Sequence, residues 1–234
     1  MLTCPDLKPI VFAACLALAS TAALAKPQPK QSGKPKPSND ICASMIADAP
    51  GPQELGEVND QRRKIIETAS AQIGSVIDKR GEDSSKQGWE KLVGFYETAF
   101  DKPGFVKGPL LAQLKSVGKK PTVQPYSWCG IYATAMAKQA GVNVKWTAGR
   151  GPNGPSISKA IGVTKKNAAT MQPGDIVVFK DKDPKKPLVH HALVERIDVA
   201  ANKIYTIDGN LTCQQVARKS RPLSEVAYYY KTVP

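Results

Sequence analysis

His190-His191-Ala192-Leu193-Val194-Glu195-Arg196-Ile197 and Lys203-Ile204-Tyr205-Thr206-Ile207-Asp208 are two runs rich in β-branched and apolar residues. Asp198-Val199-Ala200-Ala201-Asn202 joins them with turn residues at both ends, so the segment reads as an antiparallel hairpin. If Ala200 is the centre of the turn, residue 192 pairs with 208 and residue 190 with 210. Side chains alternate along a strand, so His190, Asp208 and Asn210 then share one face. His191 falls on the other face with Leu193 and Ile207, a core set. The register thus offers an acid or amide partner to His190. Asp208-Gly209-Asn210 also suits an ordinary turn at a strand end.

Outward from the hairpin, Asp175–Lys180 and Val226–Lys231 are further short apolar runs that suit the same sheet. Residues 149–155 are rich in Gly and Pro and read as a surface loop. Cys129–Ala140 is a helix by composition, stopped by Gly141. Upstream, Ile65, Ile66, Ala69, Ile73, Val76 and Ile77 form a helical stripe over Asp60–Lys79, with Asn59 or Asp60 as its cap. Trp89, Leu92, Val93, Tyr96 and Phe100 make a second stripe, and Leu110–Leu114 a third short helix. No internal repeat is visible. Helices first, one distinct helix next, then strands: the order predicts an α+β fold.

Cys129 opens its helix, where unpaired N–H groups and the positive end of the dipole favour a thiolate. A buried structural cysteine is the plainer alternative. The only two histidines of the chain are the adjacent His190 and His191. On a strand their rings point to opposite faces, so they are not expected to share a metal or a catalytic role. A zinc enzyme needs three protein ligands, and no thiol pair stands at ligand spacing, so no metal is expected.

The 234 residues carry 33 Lys and Arg against 20 Asp and Glu, a net charge of +13. Residues 121–234 hold 16 basic and 7 acidic residues, most of that excess. Such a balance predicts anionic surroundings: nucleic acid, headgroups or an acidic wall polymer. Aromatics are only 6%, with no nucleic-acid motif, so nucleic acid is not the expected partner. Pro9–Ala25 is uncharged and mostly apolar, follows Lys8 and ends Ala23-Leu24-Ala25, the pattern of a cleaved signal peptide. Residues 1–25 are therefore expected to direct export to the periplasm or outside. Lys26–Ser38, with four prolines and four lysines, is an extended cationic tether within an N-terminal arm over 26–55. No later run is long enough to span a bilayer, so no transmembrane anchor is expected in the mature chain. Removal of the signal takes Cys4 and Cys15 and leaves Cys42, Cys129 and Cys213. Three thiols in an oxidising compartment allow one internal bridge and leave one over.

Four segments carry a family resemblance. Trp128-Cys129-Gly130-Ile131-Tyr132-Ala133 resembles the cysteine helix of the CHAP family, the cysteine- and histidine-dependent amidohydrolases and peptidases. Gln172–Phe179 resembles its proline–glycine–aspartate turn into a core strand, and His190–Val194 its histidine strand. Thr206–Asn210 resembles its acid-x-Asn strand, with Asp208 where many members carry Glu. The match covers roughly residues 121–210, in the family's order.

The resemblance, shared with NlpC-like cell-wall hydrolases, implies a papain-like α+β fold with the nucleophile helix packed on an antiparallel sheet. Residues 56–118 would be a helical portion packed on a catalytic domain over 119–234. Cys129 would be the nucleophile, His190 the general base, and Asp208 or Asn210 the residue that fixes the imidazole. Asp175 would secure its turn. Tyr126 and Trp128 would line the cleft, although Trp128 suits the core equally. With Cys129 kept reduced, Cys42 and Cys213 are left for the bridge; a Cys129–Cys213 pairing would instead silence the nucleophile. The implied substrate is peptidoglycan, cut at the N-acetylmuramoyl-L-alanine amide or within the stem peptide, by a monomer that needs no cofactor. A non-catalytic cationic envelope-binding protein and a secreted antibacterial toxin are the alternatives. An ordinary imidazole titrates near 6.5, so activity is expected to fall below about pH 6.

Overall fold

Ile176-Val177-Val178-Phe179 is apolar at every position, which suits a strand covered on both faces. The computed structural model, which describes residues 51, 55–79, 85–117, 128–147, 156–158, 162–164, 167–180 and 190–234, places this run, β6, inside a six-stranded sheet. Its companions are β5 (Gly162–Thr164), β7 (His190–Asp198), β8 (Lys203–Asp208), β9 (Ala217–Pro222) and β10 (Val226–Lys231). They lie in the order β5-β10-β6-β7-β8-β9, and every neighbouring pair is antiparallel. One face buries Val177, Phe179, Ala192, Val194, Ile204 and Tyr229 with Met171. The other, with Ile176, Val178, Leu193, Ile207 and Tyr230, packs into the helices.

Those helices are α1 (Asp60–Ser70), α2 (Trp89–Phe100), α3 (Gly108–Lys115) and α4 (Cys129–Gln139). Every residue of α4 from Cys129 to Ala137 is buried, as a helix with no polar face requires. It lies between the sheet and α1 and α2, and Tyr132 donates from its hydroxyl to the Ala69 carbonyl at 2.9 Å. Thr134 satisfies its buried hydroxyl on the Gly130 carbonyl at 2.8 Å. The fold is therefore α+β, with N-terminal helices against an antiparallel sheet, and helices upstream of residue 118 share one core with α4. No helix among the described residues is long and apolar enough to cross a membrane.

The stripe expected to be helical through Lys79 is helical only to Ser70. Asn59 caps its start, accepting from the Arg62 N–H at 2.9 Å. The chain then turns through Gly74, at φ 71°, whose N–H reaches the Val216 carbonyl at 3.0 Å. Ile77–Lys79 leaves as β1 and pairs with β2 (Ser85–Gln87). Ile73, Val76 and Ile77 have the spacing of a helix but the β-branching of a strand, and a buried Asp78–Lys86 ion pair at 3.2 Å fixes the strand. A further hairpin pairs β3 (Lys145–Thr147) with β4 (Ser156–Ser158). The signal, the tether, Cys42, Tyr126 and the loop over 149–155 lie outside the described residues.

Candidate active site

Gly130 explains how Cys129 comes so near the sheet. A Cβ there would stand 2.1 Å from the Trp146 ring and 3.1 Å from the His191 ring, so only glycine fits. Gly209 has the same role on the other side, since a Cβ would stand 2.7 Å from Tyr132 and 2.8 Å from Trp128. The two glycines let the first turn of α4 rest on the ends of β7 and β8. There the buried Cys129 Sγ accepts from the His191 backbone N–H at 3.5 Å.

His190 is the first residue of β7 and only half-buried. Its Nε2 lies 2.6 Å from Oδ2 of Asp208, which leaves Nδ1 as the ring nitrogen available to the thiol. The ring stacks on Phe179, its cross-strand partner, at 6.3 Å between centroids. Asp208, the shorter replacement for glutamate, is fully buried and held from three sides. Besides His190, it accepts from the Thr206 hydroxyl at 2.5 Å and from the Arg221 guanidinium. Arg221 also donates to the Thr206 hydroxyl at 2.9 Å and lies over the Phe179 ring at 4.4 Å.

The expected register holds where it matters. Leu193 pairs with Ile207 and Val194 with Thr206, the registration that sets 192 opposite 208. Nearer the turn it does not hold, because Arg196 pairs with Tyr205. Glu195 is the extra residue of a bulge, and Asn202 closes the turn at φ 53°. Glu195 is buried, and Arg218 Nε meets both carboxylate oxygens at 2.9 and 3.1 Å. Between the two residues open for orienting the ring, Asp208 is the one bonded to it. Asn210 sits in the turn after β8 at φ 59°.

His191 faces the helices, its ring edge-on to Trp146 at 5.1 Å and its Nε2 without a hydrogen-bond partner among the described residues. The rings diverge as expected, yet both bear on the thiol, because Cys129 sits at the strand end that both share. Burial alone would raise the Cys129 thiol. Hydrogen bonds from His190 and His191 and their positive charge outweigh it, and hold the thiol well below its ordinary value. Burial likewise works to lower His190, but bonds to Asp208 and Cys129 raise it to about 9. Asp208 is held well below the carboxylate range: burial is outweighed by the Arg221 charge and the His190 bond. The three shifts agree with a thiolate–imidazolium pair backed by a carboxylate.

Trp128 is buried edge-on to Tyr132 at 6.4 Å, the core position that was its second expected role. Asp175 is buried and accepts from the Gln172 N–H at 2.9 Å, securing its turn. Among the described residues, Cys129 is buried and takes part in no disulfide. Sequence reasoning missed Arg221, Thr206 and Phe179. The parity of 206 and 208 on one strand was the available signal for Thr206; none pointed to Arg221. A cavity of about 340 Å³ opens beside the His190 ring, lined by Phe179, Lys180, Lys219, Arg221 and Glu225. Among the described residues, no group of three or more His, Cys, Asp or Glu is placed to hold a metal ion. Comparison with protein-family models, curated proteins and solved structures finds no match.

Proposed function

We propose that this protein is an exported cysteine hydrolase of papain-like fold that cleaves amide bonds in peptidoglycan. The observation that carries the reading is the alignment of Cys129, His190 and Asp208, with Nε2 to Oδ2 at 2.6 Å and a thiol depressed by the imidazoles. A thiolate at a helix N-terminus, beside an oriented imidazolium, is the arrangement that Cys–His acyl transfer needs. In this reading the Cys129 thiolate attacks the amide carbon, forming an S–C bond. The Cys129 backbone N–H is a candidate donor to the developing oxyanion. As the C–N bond breaks, His190 gives its proton to the leaving amine. His190 then takes a proton from water, which releases the acyl group and returns the thiolate.

Peptidoglycan as the substrate rests on the family resemblance, the export signal and the +13 charge, which suits retention near carboxylate-bearing stems. Incubation with purified sacculi, followed by mass analysis of soluble products, tests the reading and identifies the bond. Release of no wall fragment by the untreated protein, or full release after thiol alkylation, would refute it.

The pKa directions move the expected pH dependence. A lone imidazole would lose activity below about pH 6. Here His190 keeps its proton up to about 9, so the alkaline fall belongs to loss of the imidazolium near that pH. The acid fall belongs to protonation of the Cys129 thiolate, which lies well below the ordinary thiol value. The expected kcat/KM profile against sacculi is a broad bell with its alkaline limb near 9. An alkaline limb near 6.5, the ordinary imidazole value, would mean that His190 and the thiol are not paired.

The same reading pairs Cys213 with Cys42, tying the N-terminal arm to the turn after β8 and leaving Cys129 reduced. Non-reducing peptide mapping of the secreted protein should recover a Cys42–Cys213 peptide and an alkylatable Cys129. Recovery of Cys129 in a bridge would reverse the assignment.

A further inference from the structure

Asp208 and Arg221 lie on neighbouring strands, but their backbones are not opposite. Arg221 pairs with Ile204, and Asp208 with Ala217. The arginine side chain runs along the sheet, past Thr206, to reach the Asp208 carboxylate. Its guanidinium covers Phe179, whose ring in turn stacks on His190. His190, Asp208, Arg221 and Phe179 therefore close a ring of contacts, and the Arg221 side chain is only 9% exposed. A guanidinium placed this way, against a buried carboxylate, is a fixed charge.

We propose that Arg221 is a positioning residue that partly offsets the charge of Asp208, so that the carboxylate orients His190 without gripping its proton as tightly as a lone buried carboxylate would. This deepens the hydrolase reading and rests on it. The Asp208–Arg221 pair has no net charge, yet Asp208 keeps the strong acceptor that holds Nε2. An uncancelled carboxylate at 2.6 Å would tighten the grip of His190 on its proton and slow transfer to the leaving amine. Among the described residues, the other ionisable groups near His190 are Cys129 from α4, the adjacent His191, and Lys180, Lys219 and Glu225 around the adjoining cavity. Asp208 also faces the Tyr132 hydroxyl from α4, and Cys129 faces His191 and Tyr96. Among the described residues, Arg221 and His190 are the two side chains ion-paired with Asp208.

The test is NMR titration of the His190 ring in the full secreted chain, with His191, the only other histidine, as the internal control. It uses no wall substrate, so its outcome is separate from that of the sacculus assay. Arg221→Met should raise the His190 midpoint by about one pH unit, the size of effect expected of one charge at this range. Arg221→Lys, which keeps the charge, should leave the midpoint near that of the parent protein. Arg221→Met leaves a buried carboxylate with less compensation, so folding is its hazard. The comparison of Asp208→Asn with Asp208→Asn/Arg221→Met avoids that hazard and isolates the guanidinium. Removal of Arg221 from the asparagine variant should raise the midpoint by about one pH unit and bring it back toward the parent value. An identical His190 titration in those two variants overturns the proposal and leaves Arg221 a packing residue.

Discussion

Cys129→Ala is expected to remove release of wall fragments from sacculi, by on the order of 10⁴-fold or more, with the fold intact. The loss is that large because in the proposed mechanism the thiolate is the bond-forming group, and among the described residues Cys129 is the cysteine outside any disulfide beside the His190 ring. The fold survives because the side chain is small and sits at the first turn of α4. Cys129→Ser should be equally inactive, since a hydroxyl in this setting stays protonated where the thiol does not. A second consequence follows on His190. Its pKa of about 9 is supported by Asp208 first and by Cys129 next. Removal of the thiolate should therefore lower it, while Asp208 keeps it from falling as far as burial alone would take it. Circular dichroism, sacculus release and the His190 titration of one preparation check all three. An alanine variant that keeps even a tenth of the parent activity would end the claim that Cys129 is the nucleophile.

The parts of this site that were legible in the sequence are those fixed by periods and local chemistry. Strand parity alone placed His190 with Asp208 and His191 with the core, and the turn-centre argument set the register of that end. A hairpin transmits its register from turn to tip only if no residue is extra. Glu195 is extra, and its burial depends on Arg218, a residue on a strand the sequence did not declare. The four-residue turn through Asn202 offsets the bulge, so the tip came out as expected although the route did not.

That undeclared strand, β9, is also why Arg221 was missed. Ala-Arg-Lys-Ser-Arg-Pro has no apolar alternation and reads as a cationic loop. At the edge of the sheet such a sequence is favourable, because charge and proline discourage pairing with another chain. Its strand character comes from pairing with β8, which is long-range and leaves no local trace. The failed half of the first helical stripe has the opposite cause. A spacing of three and four suited both a helix and a turn entering a strand, and the buried Asp78–Lys86 pair decided between them.

The largest stability effect is expected at Arg62, a residue on α1 far from the chemistry in sequence. Its side chain is buried, and its Nη1 donates to the Pro173 carbonyl at 2.8 Å and to Asp175 Oδ1 at 2.9 Å. Nη2 donates to the Val233 carbonyl at 2.6 Å. One guanidinium thus ties α1 to the turn before β6 and to the last residues of the chain. Arg62→Ala leaves the fully buried Asp175 carboxylate with two backbone N–H donors, from Gln172 and Thr232, and no cation. Breaking a buried pair in this way costs about 3–5 kcal/mol, or roughly 6–20 °C in Tm for a domain of this size. Burial already raises Asp175 above its ordinary value despite Arg62, and without the arginine it must rise further. A carboxyl whose folded pKa lies above its unfolded one weakens the fold as pH climbs from the unfolded value to the folded one. The penalty of Arg62→Ala should therefore be larger at pH 7 than at pH 5. Arg62→Met/Asp175→Asn, which buries no charge, should recover much of the loss. The effect reaches the site through β7. Gly174 donates to the Val194 carbonyl at 2.8 Å and Val194 to the Asp175 carbonyl at 2.9 Å, so a loosened turn frees the strand that carries His190. Thermal melts of the three variants at both pH values decide the matter. An alanine variant within about 1 kcal/mol of the parent protein at pH 7 would show that Asp175 finds its stability elsewhere.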